Sequence, residues 1–229
     1  MEMKDYWRFL QHVSRELRAP LQDMRTFADV MKDDEWRTSL ADDERGELFR
    51  RLDRCLYESE CLVESLEDLT YYSSVFRLER KDKVLVNRLC EELAEGRDVE
   101  VLFESDVPDY YAIPTNSACL RKVLRILLDT ACRRVRERTL NEREPECFLT
   151  LTEHASKGKL TFAVTDTGDP ATLEEDVTAF SLPAGQHGTL FTRRVEYYNC
   201  WQMVRLLGGF IYIDPKYRDG RRVIFSIDL

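Results

Sequence analysis

The chain has 229 residues, 43% of them hydrophobic and 34% charged, with a formal net charge of −9 at pH 7. This balance fits one large folded domain or two smaller ones and excludes a disordered acidic tail. It also lacks the basic footprint of a nucleic-acid surface, and no run approaches the ~18 consecutive apolar residues of a membrane span. The start Met1-Glu2-Met3-Lys4-Asp5 has no basic-then-apolar leader pattern, so the chain is expected in the cytoplasm.

Between Asp5 and Met31, apolar residues recur at Leu10, Val13, Leu17, Leu21, Met24, Phe27 and Met31. Steps of three and four predict an amphipathic helix. Residues 32–42 are polar and contain Asp33-Asp34-Glu35 and the candidate cap Ser39, which predicts a reversal. From Asp43 to Arg77, Leu48, Leu52, Cys55, Ser59, Leu62, Leu66, Leu69, Ser73 and Phe76 alternate by four and three, a heptad stripe widened by Leu56 and Val63. A two-helix hairpin cannot bury that stripe alone. Either the rest of the chain covers it or a second copy completes a four-helix bundle; the homodimer is the expectation.

After Arg80-Lys81-Asp82-Lys83 the pattern changes, so residues 1–80 are expected to form the hairpin and 81–229 a second domain. Val84-Leu85-Val86 predicts a strand, Asn87 to Glu95 a helix stopped by Gly96, and Val99 to Phe103 a strand. Pro108 and Pro114 bracket an extended piece, and Asn116 caps a helix to about Arg138. Phe148–Thr152 and Leu160–Thr165 alternate as strands joined at Lys157-Gly158. Gly168 to Leu190 looks irregular, Thr192 to Leu207 helical and ended by Gly208-Gly209, and Phe210–Ile213 with Arg222–Ile227 closes the chain as a strand pair. The pattern predicts an α+β sandwich. Seven cysteines without a Cys-x-x-Cys pair, and His12, His154 and His187 scattered, give no metal-ligand spacing.

Phe9-Leu10-Gln11-His12-Val13-Ser14-Arg15-Glu16-Leu17-Arg18-Ala19-Pro20-Leu21 resembles the phosphoacceptor box of sensor histidine kinases, usually Ser-His-Glu-Leu-Arg-Thr-Pro-Leu. Leu120 to Ala131 is similar to the asparagine box of that family, and Val164-Thr165-Asp166-Thr167-Gly168 to its first glycine box. Leu206-Leu207-Gly208-Gly209 and the last strand pair resemble its C-terminal end. The resemblance implies a dimerising helical hairpin followed by an ATPase-type α/β sandwich, acting in two-component signal transduction. Pro20 cannot donate to the Glu16 carbonyl and is expected to kink the first helix.

The departures fall on reactive positions. The resemblance puts Arg15 where the phosphorylated histidine stands, and a guanidinium neither attacks nor carries a phosphoryl group. Ala19 replaces the threonine used with the neighbouring acid, here Glu16, to hold a hydrolytic water. Thr130 replaces a Mg²⁺-binding asparagine, and Pro170 replaces a glycine two residues after Gly168. Asp166 matches the aspartate that accepts from the adenine amino group. Thr192 to Tyr197, with Arg193 and Arg194, stands where a phosphate-cradling glycine run is expected; Gly185-Gln186-His187-Gly188 is a weak displaced candidate.

The resemblance thus implies a non-catalytic relative with no ATP or Mg²⁺ cofactor and no metal. Its partners are expected to be a response regulator receiver domain, met through Arg15, Glu16, Arg18, Leu21 and Gln22, or another histidine kinase, met through the heptad face. The alternative is an atypical kinase or phosphotransferase that retains ATP binding and uses His12.

Overall fold

The computed structural model describes residues 3–32, 42–75, 78–79, 82–138, 144, 146–154, 158–170, 178–181 and 189–229. The candidate cap Ser39, the end of the heptad stripe at Phe76 and Arg77, Lys157 and the Gly185–Gly188 stretch lie outside them. Two compact units divide the chain: Met1–Thr70 with Leu182–Val195, and Tyr71–Ser181 with Glu196–Leu229.

In the first unit the periodic stretches are helices, α1 over Met3–Lys32 and α2 over Asp42–Ser74, the second opening one residue before its predicted start. They run antiparallel: Phe27 meets Phe49 edge-on with centroids 5.4 Å apart, and the Cys55 thiol donates to Asp23 at 3.8 Å. At the other end Phe9 and Leu62 are buried with Phe191 and Val195, and Val13, Leu17, Leu66 and Leu69 pack on them. Phe191 and Val195 come from a later helix, so a segment far along the chain completes the hairpin's core. α1 continues through Pro20. Leu21, Leu56 and Val63 remain exposed, at 59%, 41% and 45%, so the single hairpin leaves apolar surface uncovered.

The second unit holds β1 (Asp82–Leu85), α3 (Val86–Ala94), β2 (Val101–Ser105), β3 (Ala112–Thr115), α4 (Ser117–Arg136), β4 (Cys147–His154), β5 (Lys159–Asp166), β6 (Phe210–Ile213) and β7 (Arg221–Asp228), with most of α5 (Thr189–Leu206). β1 and β3 pair antiparallel, and a five-stranded sheet has the order β2-β4-β5-β7-β6, parallel only between β2 and β4. Alternation decides the buried face. Cys147, Leu149, Leu151, Leu160, Phe162, Val164, Val223, Phe225 and Ile227 share one core with Leu120, Leu124, Leu127, Leu128 and Ala131 of α4. Phe162 stacks on Phe225 with centroids 4.7 Å apart, and burying each such ring is worth about 2–3 kcal/mol.

Helix ends follow the expected chemistry. The Asn116 side chain accepts from the Cys119 N–H at 2.9 Å, and the Asp82 carboxylate accepts from the Ser117 N–H and hydroxyl at 3.0 and 2.6 Å. Several elements start elsewhere than the sequence predicts. Val86 opens α3 instead of ending β1, because Val86, Leu89, Cys90 and Leu93 form one buried helical face. β2 begins at Val101, where its ladder with Cys147 begins. All seven cysteines are free thiols, five of them buried. Among the described residues, no helix is long and apolar enough to cross a membrane.

Gly220, at φ 143°, lies against the end of β5: a Cβ there would sit 1.9 Å from the Asp166 carbonyl oxygen. Both the backbone region and the contact forbid a side chain. Gly220→Ala is therefore expected to lower stability by about 3 kcal/mol, read as an earlier midpoint in chemical denaturation at unchanged slope.

Candidate functional site

Two sets of residues carry the candidate chemistry, one in each unit. In the sandwich, Asp166 is the last residue of β5, paired in the ladders with Cys147 and Arg221 and only 3% exposed. A carboxylate so deep needs partners. Arg134, in the last turn of α4, supplies them: its Nε donates to both carboxylate oxygens at 3.2 and 3.3 Å, and another guanidinium nitrogen donates to the Asp169 carbonyl at 2.6 Å. The Gly168 N–H donates to Asp166 Oδ1 at 2.9 Å, in a turn so close that a Cβ on Gly168 would lie 2.9 Å from that same oxygen.

A second cation, Arg221, lies over the Tyr197 ring at 5.8 Å from its centroid and hydrogen-bonds its hydroxyl group; Phe180 meets the ring edge-on at 5.6 Å. Burial pushes the Asp166 carboxyl above its ordinary range, while Arg134, the Gly168 N–H and Arg221 pull the other way without cancelling it. Burial likewise raises the Tyr197 phenol, opposed by Arg221 and Arg134. A neighbouring pair, Arg133 and Glu196 at 3.6 Å, links α4 to α5. The result is a buried ionic cluster centred on Asp166.

Thr130 is buried on α4 one turn before Arg134, Asp166 and Gly168 are joined by a direct hydrogen bond, and Pro170 is exposed just beyond. Arg193 and Arg194 are half-buried on the part of α5 that belongs to the first unit. Arg134, Tyr197 and Arg221 were not legible as site residues. The available signal for Arg134 was the run Arg133-Arg134-Val135-Arg136 ending an otherwise apolar helix, with Arg134 four residues after Thr130. Among the described residues, no three His, Cys, Asp or Glu side chains gather to hold a metal ion.

On α1, Arg15, Arg18, Leu21 and Gln22 are exposed, whereas Glu16 is half-buried. At about 100° per residue, Arg15, Gln22 and Arg18 fall within an arc of roughly 60°, Arg25 continues it, Leu21 flanks it, and Glu16 lies about 100° around from Arg15. Arg18, Leu21, Gln22 and Arg25 line a groove with Ser14 and Leu17. Ala19 is exposed; His12 lies on α1, with its side chain outside the described set.

No family model and no curated protein matches the chain. Solved structures do, and they give it the fold of histidine kinases. Histidine kinase ThkA in complex with response regulator protein TrrA is matched over 95% of this chain and 60% of that one, at 19% identity and a TM-score of 0.70. The Acinetobacter baumannii histidine kinase AdeS is matched over 93% of this chain and 95% of that one, at 16% identity and a TM-score of 0.60. Full-length ShkA in complex with AMPPNP is matched over 95% of this chain and 45% of that one, at 16% identity and a TM-score of 0.59. At these identities the likeness is one of fold.

The raised Asp166 carboxyl gives a pH signature. Between the ordinary aspartate range and its raised folded value, the folded state holds more protons than the unfolded state, so this group's contribution to stability is greatest on the acid side and falls as pH rises through that window. Asp166→Asn removes the titration. Melting both proteins across mildly acidic to neutral pH should show wild type losing stability relative to Asp166→Asn as pH rises; parallel curves would contradict the assignment.

Proposed function

We propose that the chain is a non-catalytic two-component signalling protein that uses the histidine kinase frame to bind partners. It pairs through its hairpin as a four-helix bundle and docks a response regulator receiver domain on the Arg15 face of α1. The observation that carries this reading is the engagement of Asp166 by Arg134. The carboxylate that the resemblance assigns to an adenine amino group already accepts from a guanidinium and from the Gly168 N–H.

The residues present do not fit a Mg²⁺–nucleotide. An adenine amino group at Asp166 would compete with a buried ion pair, and breaking such a pair costs about 3–5 kcal/mol when one partner is left uncompensated. Thr130 offers one buried hydroxyl where a hard cation needs well-placed oxygens, and Pro170 removes a backbone donor. On the hairpin, Arg15 presents donors only and Ala19 has no hydroxyl to orient water, so neither phosphoryl acceptance nor hydrolysis has its group.

The docking half of the proposal draws support from the ThkA complex with its regulator, a protein of the same fold. Arginine suits that role: its planar fork pairs with carboxylates and phosphoryl groups while staying charged. The exposed Leu21, Leu56 and Val63 support pairing of hairpins, since a single copy leaves them in water.

Calorimetry of the full chain with ATP and Mg²⁺ should give no heat of binding at millimolar-range concentrations, and labelled ATP should leave no acid-labile label. A label lost in His12→Ala would overturn the proposal. Arg15→Glu should weaken binding of a cognate receiver domain roughly tenfold or more, by reversing a charge at the centre of the contact; unchanged affinity would take Arg15 out of the interface.

A further inference from the structure

Arginines of the hairpin differ in whether an acid holds them. On α2, Arg50 pairs with Glu47 at 2.8 Å and Arg54 with Glu58 at 3.2 Å. Arg15, Arg18 and Arg25 are exposed and make no ion pair with any described residue. Glu16 and Asp23 lie around the helix on another face, and Asp29, one turn past Arg25, shares the face of the row. Three exposed guanidiniums against one carboxylate on that face, on a chain of net charge −9, form a local reversal of sign.

Spacing determines what such a row can hold. Arg15 and Arg18, three residues apart, have Cβ atoms about 5–6 Å apart, so two long side chains can converge on one small anion. Arg25 stands about 10 Å further along the axis, in reach of a second acidic group on the same surface. A carboxylate offers two oxygens to one fork. A phosphoryl group offers three and carries more charge, and so has acceptors to spare for two guanidiniums. Ala19 and Gln22, between the arginines, add no competing charge.

We propose that the Arg15–Arg18–Arg25 row recognises a phosphoryl group carried on an acidic protein surface, so that the hairpin takes the phosphorylated form of a receiver domain in preference to the unphosphorylated one. This rests on the docking reading above and adds direction to it. The protein becomes a reader of a phosphorylation made elsewhere. Pairing with the row also sequesters the group it reads, since Ala19 cannot help water attack it.

The test uses the full chain and purified receiver domains of the response regulators encoded in the same genome, each measured by biolayer interferometry with and without beryllofluoride as the phosphoryl mimic. At least one receiver should bind about tenfold or more tightly in the beryllofluoride form, as expected for a charge-assisted pair. Arg15→Gln or Arg18→Gln should bring the two forms within about twofold. Arg50→Gln, on α2 and paired to Glu47, should leave the ratio intact. Equal binding of both forms would overturn this inference and leave the docking reading standing, whereas no binding of any receiver in either form would overturn both. A preference that survives Arg15→Gln and Arg18→Gln would take the recognition away from this row.

Discussion

A carboxylate in an apolar interior must be neutralised, hydrogen-bonded or removed, and the sandwich is organised around that constraint at Asp166. Its backbone ends a central strand, its neighbours across the ladders are Cys147 and Arg221, and Gly220 packs on its carbonyl without room for a side chain. In a fold that binds a nucleotide at this corner, the ligand would satisfy the acid. Here α4 reaches over with Arg134, and the turn at Gly168 adds a backbone donor. The pair resists exchange more than it adds net stability, because the cost of desolvating two charges offsets most of their attraction.

The same economy applies on the hairpin. α1 and α2 keep their packing through Phe9, Phe27, Phe49 and Leu62, none of which takes part in phosphoryl chemistry. The hairpin positions that depart from the resembled box, Arg15 and Ala19, are exposed, where exchange costs little in stability.

The sequence made the framework legible because periodicity reports burial directly. The three–four stripe of α1 and the heptads of α2 became largely half-buried faces of the hairpin, the alternation of β4, β5 and β7 became a buried one, and Asn116 caps α4 as its side chain predicts. Boundaries moved where a residue suits two patterns: Val86 reads equally as the end of an apolar strand or the first buried position of a helix, and only the rest of the helical face decides. The site was less legible. Arg134, Arg221 and Tyr197 lie far apart in sequence and meet only through the sheet order, so their pairing with Asp166 has no local signature. Arg15 was visible because a motif surrounds it. Its freedom from acidic partners was not, since that depends on which side of the helix each neighbour faces.

Phe191 and Val195 complete the core that Phe9 and Leu62 begin, although more than a hundred residues of sheet-forming chain come between them. During synthesis, the two long helices leave the ribosome well before the segment that covers their apolar end. The nascent hairpin must wait, with that surface open, for most of the polypeptide to be made.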